Sequence, residues 1–147
     1  MNHTELTLKA LRFALYKHRG QLDDCGKDYI SAHIEPVAEA VAVFTDLDYV
    51  IASAYLHDTI EDTDTTYEQL VEEFGKQVAD LVMEVTHEGQ KDKYGYYFPR
   101  LKTKFGILIK LCDRASNISR MDSWDEKRQS QYLKRSVFWK DGSDKNG

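Results

Sequence analysis

Apolar residues recur every three or four positions along most of this 147-residue chain, and alternating apolar–polar runs are nearly absent. That period builds amphipathic helices and leaves no material for a sheet. The two dipeptides that favour hairpins, Asp141-Gly142 and Asn146-Gly147, fall at the C-terminal end with no strands to join. The expected fold is all-α, a single-domain helical bundle of about six to eight helices over residues 1–140, with 141–147 a flexible tail. A chain of this size buries roughly 68–70% of its unfolded surface, enough for one core without disulfide staples.

The start and stop signals divide the helices. The first runs from about Thr4 to Lys17 and is closed by Gly20, and the polar stretch Arg19–Tyr29 reads as a loop. A second covers about Ile34 to Phe44, with Pro36 in its first turn. A third starts at Asp46 or Asp48 and continues to Ile60. Thr65-x-x-Glu68 reads as a capping box for a fourth helix ending at Phe74-Gly75, and Val78, Leu81, Val82 and Val85 mark a fifth. The segment His87–Tyr97 reads as a loop, and Pro99 opens a long helix with the stripe Leu101, Phe105, Leu108, Ile109, Cys112 and Ala115. Ser123-x-x-Glu126 caps a terminal helix carrying Tyr132, Leu133 and Trp139.

Composition excludes several functions. Twenty Lys+Arg against 25 Asp+Glu leave a net charge of −5, the wrong sign for a general nucleic-acid surface. No apolar run approaches the ~20 residues that span a bilayer. Glu5, Lys9 and Arg12 interrupt the N-terminal apolar residues, so no signal peptide is expected. Cys25 and Cys112 lie far apart, outside any CxxC pattern, and read as reduced thiols of a cytoplasmic protein. Monomer and homo-oligomer both stay open.

One string breaks the amphipathic pattern. In Leu56-His57-Asp58-Thr59-Ile60-Glu61-Asp62-Thr63, four ionisable side chains share one broad face at the end of an otherwise apolar helix. Three carboxylates at a helix C-terminus oppose the macrodipole, and no Lys or Arg stands nearby to compensate. A bound cation would relieve that conflict. Asp113, after the apolar run Ile107-Leu108-Ile109, either pairs with Arg114 or joins as a ligand. Imidazoles with carboxylates and no thiolate suit Mn²⁺, Fe²⁺ or Mg²⁺, with Zn²⁺ also compatible.

The ordered set Phe13-Ala14-x-x-x-His18-x-Gly20-Gln21, Tyr29-Ile30-x-x-His33, Leu56-His57-Asp58-x-x-Glu61-Asp62-Thr63, Phe74-Gly75-x-x-Val78, Val85-Thr86 and Lys110-x-x-Asp113-Arg114-x-x-Asn117 resembles the HD superfamily of metal-dependent phosphohydrolases. Within it, the order is similar to the hydrolase domain of RelA/SpoT-type alarmone enzymes, over about Leu8 to Tyr132, and to its stand-alone small members. The resemblance implies an HD-type helical fold, a Mn²⁺ cofactor and removal of the 3′-pyrophosphate from guanosine tetra- or pentaphosphate. It implies His33, His57, Asp58 and Asp113 as metal ligands, Glu61 and Asp62 as the pair handling water, and Asn117 in the nucleotide pocket. His18 matches a helix-end histidine that is not a ligand. Lys27 and Lys93 are candidate phosphate contacts and Tyr94 a candidate base-stacking ring.

The chain departs from that pattern twice. Where the family carries a basic pair after Gly20-Gln21, this loop reads Leu22-Asp23-Asp24-Cys25-Gly26. The segment from Tyr29 to Pro36 is one residue longer before its histidine and two longer before its proline. Two acids opposite a polyphosphate point to another nucleotide, a nucleoside monophosphate or a dinucleotide cofactor phosphate, as the alternative substrate. A nucleotide-binding module without catalysis is the alternative outside the enzyme class.

Overall fold

In the computed structural model, residues 2–86, 101–121 and 124–136 are described, positions 135 and 136 by their backbone alone. Among them stand eight α-helices and one π-helical turn: α1 (Glu5–Lys17), the π turn (Ile30–Ile34), α2 (Glu35–Phe44), α3 (Asp48–Tyr55), α4 (Thr59–Asp62), α5 (Tyr67–Phe74), α6 (Lys76–Val85), α7 (Lys104–Ser119) and α8 (Glu126–Ser136). The described residues hold no strand, only an isolated bridge between Leu22 and Asp28. The chain is all-α, as its periodicity predicts. No helix among the described residues is long and apolar enough to cross a membrane. The expected tail at 141–147, Pro99, Ser123 and Trp139 lie outside the described residues.

α3 is the hub. Six successive residues from Val50 to Tyr55 are buried, so its whole circumference is covered, as expected of a helix inside a bundle. It packs against α1, α2 and α6, while α2 and α6 also pack on α7. Tyr55, Leu56, Ile34, Leu70 and Ile109 are the largest apolar side chains fully enclosed by this arrangement.

Local chemistry moves four of the expected boundaries. The third helix does not run through to Ile60: it stops at Tyr55, the residues 56–58 form a turn, and Thr59 starts a new short helix. Glu61 and Asp62 therefore close a separate four-residue helix instead of ending the long third helix. The cap of α5 is Thr66, whose hydroxyl accepts from Gln69 N–H at 3.1 Å; Thr65 is instead buried and turned back onto the Thr63 hydroxyl at 2.7 Å.

α7 starts at Lys104, not at Pro99, so Leu101 precedes the helix instead of opening its stripe. The cause is a carboxylate from α6. Glu84 Oε2 accepts the N–H groups of Lys102 at 3.0 Å and Thr103 at 2.9 Å, and Thr103 then caps Gly106 N–H at 3.1 Å. The second helix begins early, at Ile30, as a π turn in which Glu35 N–H donates to the Ile30 carbonyl. A π turn accommodates one extra residue within a helix. His33 lies within that turn and is buried at 1% exposure.

Candidate metal centre and adjoining pocket

Three stretches deliver the charged side chains. The π turn supplies His33, the break after α3 supplies His57 and Asp58, and the middle of α7 supplies Asp113; all four are buried, and one ligand atom from each lies within 4.8 Å of all the others. His33 Nε2 lies 3.0 Å from Asp113 Oδ1 and 3.4 Å from Asp58 Oδ2. His57 Nε2 lies 3.1 Å from Asp58 Oδ2 and 3.4 Å from Asp113 Oδ1. The two Nε2 atoms are 3.3 Å apart. Asp113 does not pair with Arg114, which donates to Tyr132 Oη at 3.2 Å; its cationic neighbour is the buried Lys110, at 3.2 Å.

The electrostatics are those of a strongly coupled group. Burial pushes both histidines toward the neutral form, but the facing carboxylates of Asp58 and Asp113 outweigh it and hold His33 up and His57 well above the usual histidine value. Burial pushes Asp58 and Asp113 the other way, yet the two imidazoles, joined at Asp113 by Lys110, hold both carboxyls well below the usual range. Two imidazoles and two carboxylates aimed at one buried point are a donor set for a divalent ion. The orientation of His57 fits: its Nδ1 donates to the Ala54 carbonyl at 2.6 Å, so the neutral ring keeps its lone pair on Nε2, facing the group.

Three neighbours brace this group and the adjoining Asp62. Tyr29 Oη donates to Asp58 Oδ2 at 2.6 Å, and burial together with the charge of Asp58 drives the phenol far above its ordinary value. Asn117 donates to Asp113 Oδ1 at 3.4 Å and to Tyr132 Oη at 2.7 Å. Gln21 donates to Asp62 Oδ2 at 3.1 Å while its own oxygen meets His18 Nδ1 at 2.7 Å. Desolvation and the charge of Asp58 hold the Asp62 carboxyl above the usual range, against the opposing pull of Gln21 and His18. His18 is thus a buried packing residue behind Asp62. Glu61 and Asp62 both present exposed surface on the same short helix.

A cavity of about 370 Å³ adjoins the group, lined by Gln21, Leu22, Asp23, Asp24, Cys25, Tyr29, Asn117, Arg120, Trp124, Arg128 and Tyr132. Asn117 lies in its wall. Lys27 is exposed and outside that lining; its backbone N–H donates to Asp23 Oδ1 at 2.8 Å. Lys93 and Tyr94 lie outside the described residues. Arg120, Trp124, Arg128 and Tyr132 are wall residues that the motif reading passes over. Their only sequence signal is helical spacing downstream of Asn117, which becomes informative once α7 and α8 are known to face each other across a cavity.

The chain belongs to the HD-domain family: the family model described as HD domain matches residues 10–95. An all-helical fold with two buried histidines and two buried aspartates on one point is the architecture of a metal-dependent phosphohydrolase. Several of its relatives are named as 3′-pyrophosphohydrolases, and others as GTP pyrophosphokinase or diphosphokinase. The chain is 34% identical over 143 residues to the guanosine-3′,5′-bis(diphosphate) 3′-pyrophosphohydrolase of Aquifex aeolicus, matching 92% of this chain and spanning 20% of that much longer protein. It is 35% identical over 146 residues to the human guanosine-3′,5′-bis(diphosphate) 3′-pyrophosphohydrolase MESH1, covering 86% of this chain and 78% of MESH1. A solved structure of a metazoan SpoT orthologue that hydrolyses ppGpp superposes with a TM-score of 0.79 at 27% identity, over 92% of this chain and 84% of that one.

Proposed function

We propose that this protein hydrolyses guanosine 3′,5′-bis(diphosphate) at its 3′-diphosphate, releasing pyrophosphate, with Mn²⁺ as the resident ion in the cytoplasm. The observation that carries the reading is the convergence of His33, His57, Asp58 and Asp113 in a chain several of whose relatives bear that activity in their names. Cys25 is exposed and Cys112 buried, and the two are not joined in a disulfide, which agrees with a reducing compartment.

His33, His57, Asp58 and Asp113 would hold the ion. A divalent ion there supplies charge that polarises a phosphoryl oxygen and acidifies water. Hydrolysis forms one bond, from water oxygen to the phosphorus on the ribose 3′-oxygen, and breaks the P–O3′ bond, with a proton passing to the leaving oxygen. Glu61 and Asp62 manage that proton. Asp62, whose carboxyl is held above the usual carboxylate range by desolvation and by Asp58, has the raised proton affinity that suits a group taking a proton and returning it. Asn117 positions the nucleotide from the cavity wall, and Lys27, Lys93 and Tyr94 belong to the proposal as outer contacts of its phosphates and base.

A second reading has one observation in its favour. Asp23 and Asp24 line the cavity, which favours a less charged nucleotide, such as a nucleoside monophosphate or a dinucleotide cofactor phosphate. Product analysis of a Mn²⁺-supplemented nucleotide panel separates the two. Pyrophosphate with guanosine 5′-diphosphate is the expected pair of products from guanosine tetraphosphate. Orthophosphate from the other nucleotides, with the tetraphosphate left intact, would replace the first reading by the second.

A further inference from the structure

The two acids that replace the family's basic pair each face an arginine in the same cavity wall. Asp23 Oδ2 meets Arg120 Nη1 at 2.9 Å, and Asp24 Oδ2 meets Arg128 Nη2. The positive charge missing from the loop is thus present across the cavity, on α8 and the residue that ends α7, and each cation already has a counter-ion. The two pairs are not equivalent.

The Asp23 side chain is only 2% exposed and also accepts the N–H groups of Cys25 at 2.9 Å and Lys27 at 2.8 Å, closing the loop on itself. Arg120 in turn donates to Asn117 Oδ1 at 2.6 Å and to His33 Nδ1 at 2.9 Å. This pair is woven into the frame of the site. The other is open to solvent, with side-chain exposures of 47% for Arg128 and 56% for Asp24. Arg128 has a rigid seat, its guanidinium lying 3.8 Å over the Trp124 ring, whose edge is packed by Tyr132 at 5.4 Å. Asp24 has no such seat: it sits on the loop, and water can solvate it if it lets go. Buried donors point the same way, since Trp124 Nε1 and Arg120 Nε have no hydrogen-bond partner among the described residues.

We propose that Arg128 is the arginine that receives a phosphate of the nucleotide, and that Asp24 is its displaceable counter-ion, a specificity-determining residue that weakens binding of highly phosphorylated nucleotides. The inference rests on the nucleotide-hydrolase reading and names how this chain differs within it. A phosphate oxygen makes the same charge-assisted contact to a guanidinium as a carboxylate does, so entry of the substrate exchanges one anion for another on a pre-oriented fork. Asp23 stays with Arg120 throughout.

The test is a double-mutant cycle on the Mn²⁺-loaded protein with guanosine tetraphosphate. Arg128→Gln should raise KM by about tenfold, and Asp24→Asn should lower it by about threefold, with kcat moved far less in both. Both side chains are exposed, so neither change threatens the fold. Because Asp24 acts through Arg128, the double variant should behave as Arg128→Gln alone. An unaltered KM in either single variant, a rise in KM for Asp24→Asn, or additive effects in the double variant would each overturn the proposal. If the wild type turns over no nucleotide, the hydrolase reading fails separately. Equilibrium binding of the same nucleotide to the same four proteins then decides this inference, with the same ordering of Kd expected.

Discussion

His57 Nδ1 donates to the carbonyl of Ala54 at 2.6 Å, three residues back along the chain. That contact exists because α3 ends at Tyr55 and turns the imidazole under its own last turn. It fixes the ring and leaves Nε2 facing Asp58 and Asp113. His57→Ala should therefore cut affinity for Mn²⁺ by at least about a hundredfold, beyond the usual 10–100-fold cost of losing an outer partner. Competition against a metal-sensitive dye reads this directly, and an unchanged affinity would remove His57 from the ligand set.

Tyr29 tests the layer behind the ligands. Its hydroxyl donates to Asp58 Oδ2 at 2.6 Å. Tyr29→Phe keeps the ring packed against His18 and His33 while leaving Asp58 one donor short. We expect metal affinity to fall by about tenfold or more with stoichiometry still reaching one ion per chain at saturation. A variant with wild-type affinity would show that Asp58 needs no such support.

Gly106 separates folding from chemistry. A Cβ at that position would overlap the Glu84 carboxylate, which holds the start of α7 through Lys102 and Thr103. Gly106→Ala should cost about 1–3 kcal/mol in urea unfolding, the usual range for overpacking. Metal content per folded chain should not change, because Asp113 lies two turns further along the helix. Loss of metal at full stability would contradict this division.

The pH dependence of the chelator-treated protein follows from its four coupled groups. His33 and His57 bind protons more tightly folded than their ordinary 6.5, so their contribution to stability is complete below that value and is lost as pH rises through their raised values. Asp58 and Asp113 behave oppositely: their contribution is complete above the ordinary 3.8 and is lost as pH falls through their depressed values. Urea unfolding should show the metal-free protein most stable on the mildly acidic side and weaker in alkali. Metal must displace the imidazole protons, so the added stability from Mn²⁺ should grow with pH from about 6 to about 9. A gain that shrinks over that interval would show that the histidines are not ligands.

Much of this was legible in the residue order, and the exceptions share a cause. Helices and their faces follow from apolar spacing, and the buried His/Asp cluster follows from charges that interrupt an apolar helix and from the family resemblance. What spacing hides is a change in helical register. The extra residue before His33 looks like a defect in the motif, yet His33 sits in a π turn at Ile30–Ile34 and faces the other three side chains of the cluster. Glu61 and Asp62 look like a charged helix end, but the turn at 56–58 starts a new helix. The acidic loop was the least readable part, because the partners of Asp23 and Asp24 lie about a hundred residues away, at 97 and 104 positions' separation. No local pattern reports an ion pair across such a span.

Residues from the π turn, the α3–α4 break and α7 are placed to hold a single divalent ion, and their joint occupancy is the point on which the proposed chemistry turns. It is tested most directly by anomalous scattering at the manganese edge from crystals grown with Mn²⁺. One strong peak per chain, within bonding distance of His33, His57, Asp58 and Asp113, is the predicted result. A map with no peak among those four side chains, while Mn²⁺ occupies another position on the protein, would contradict the account.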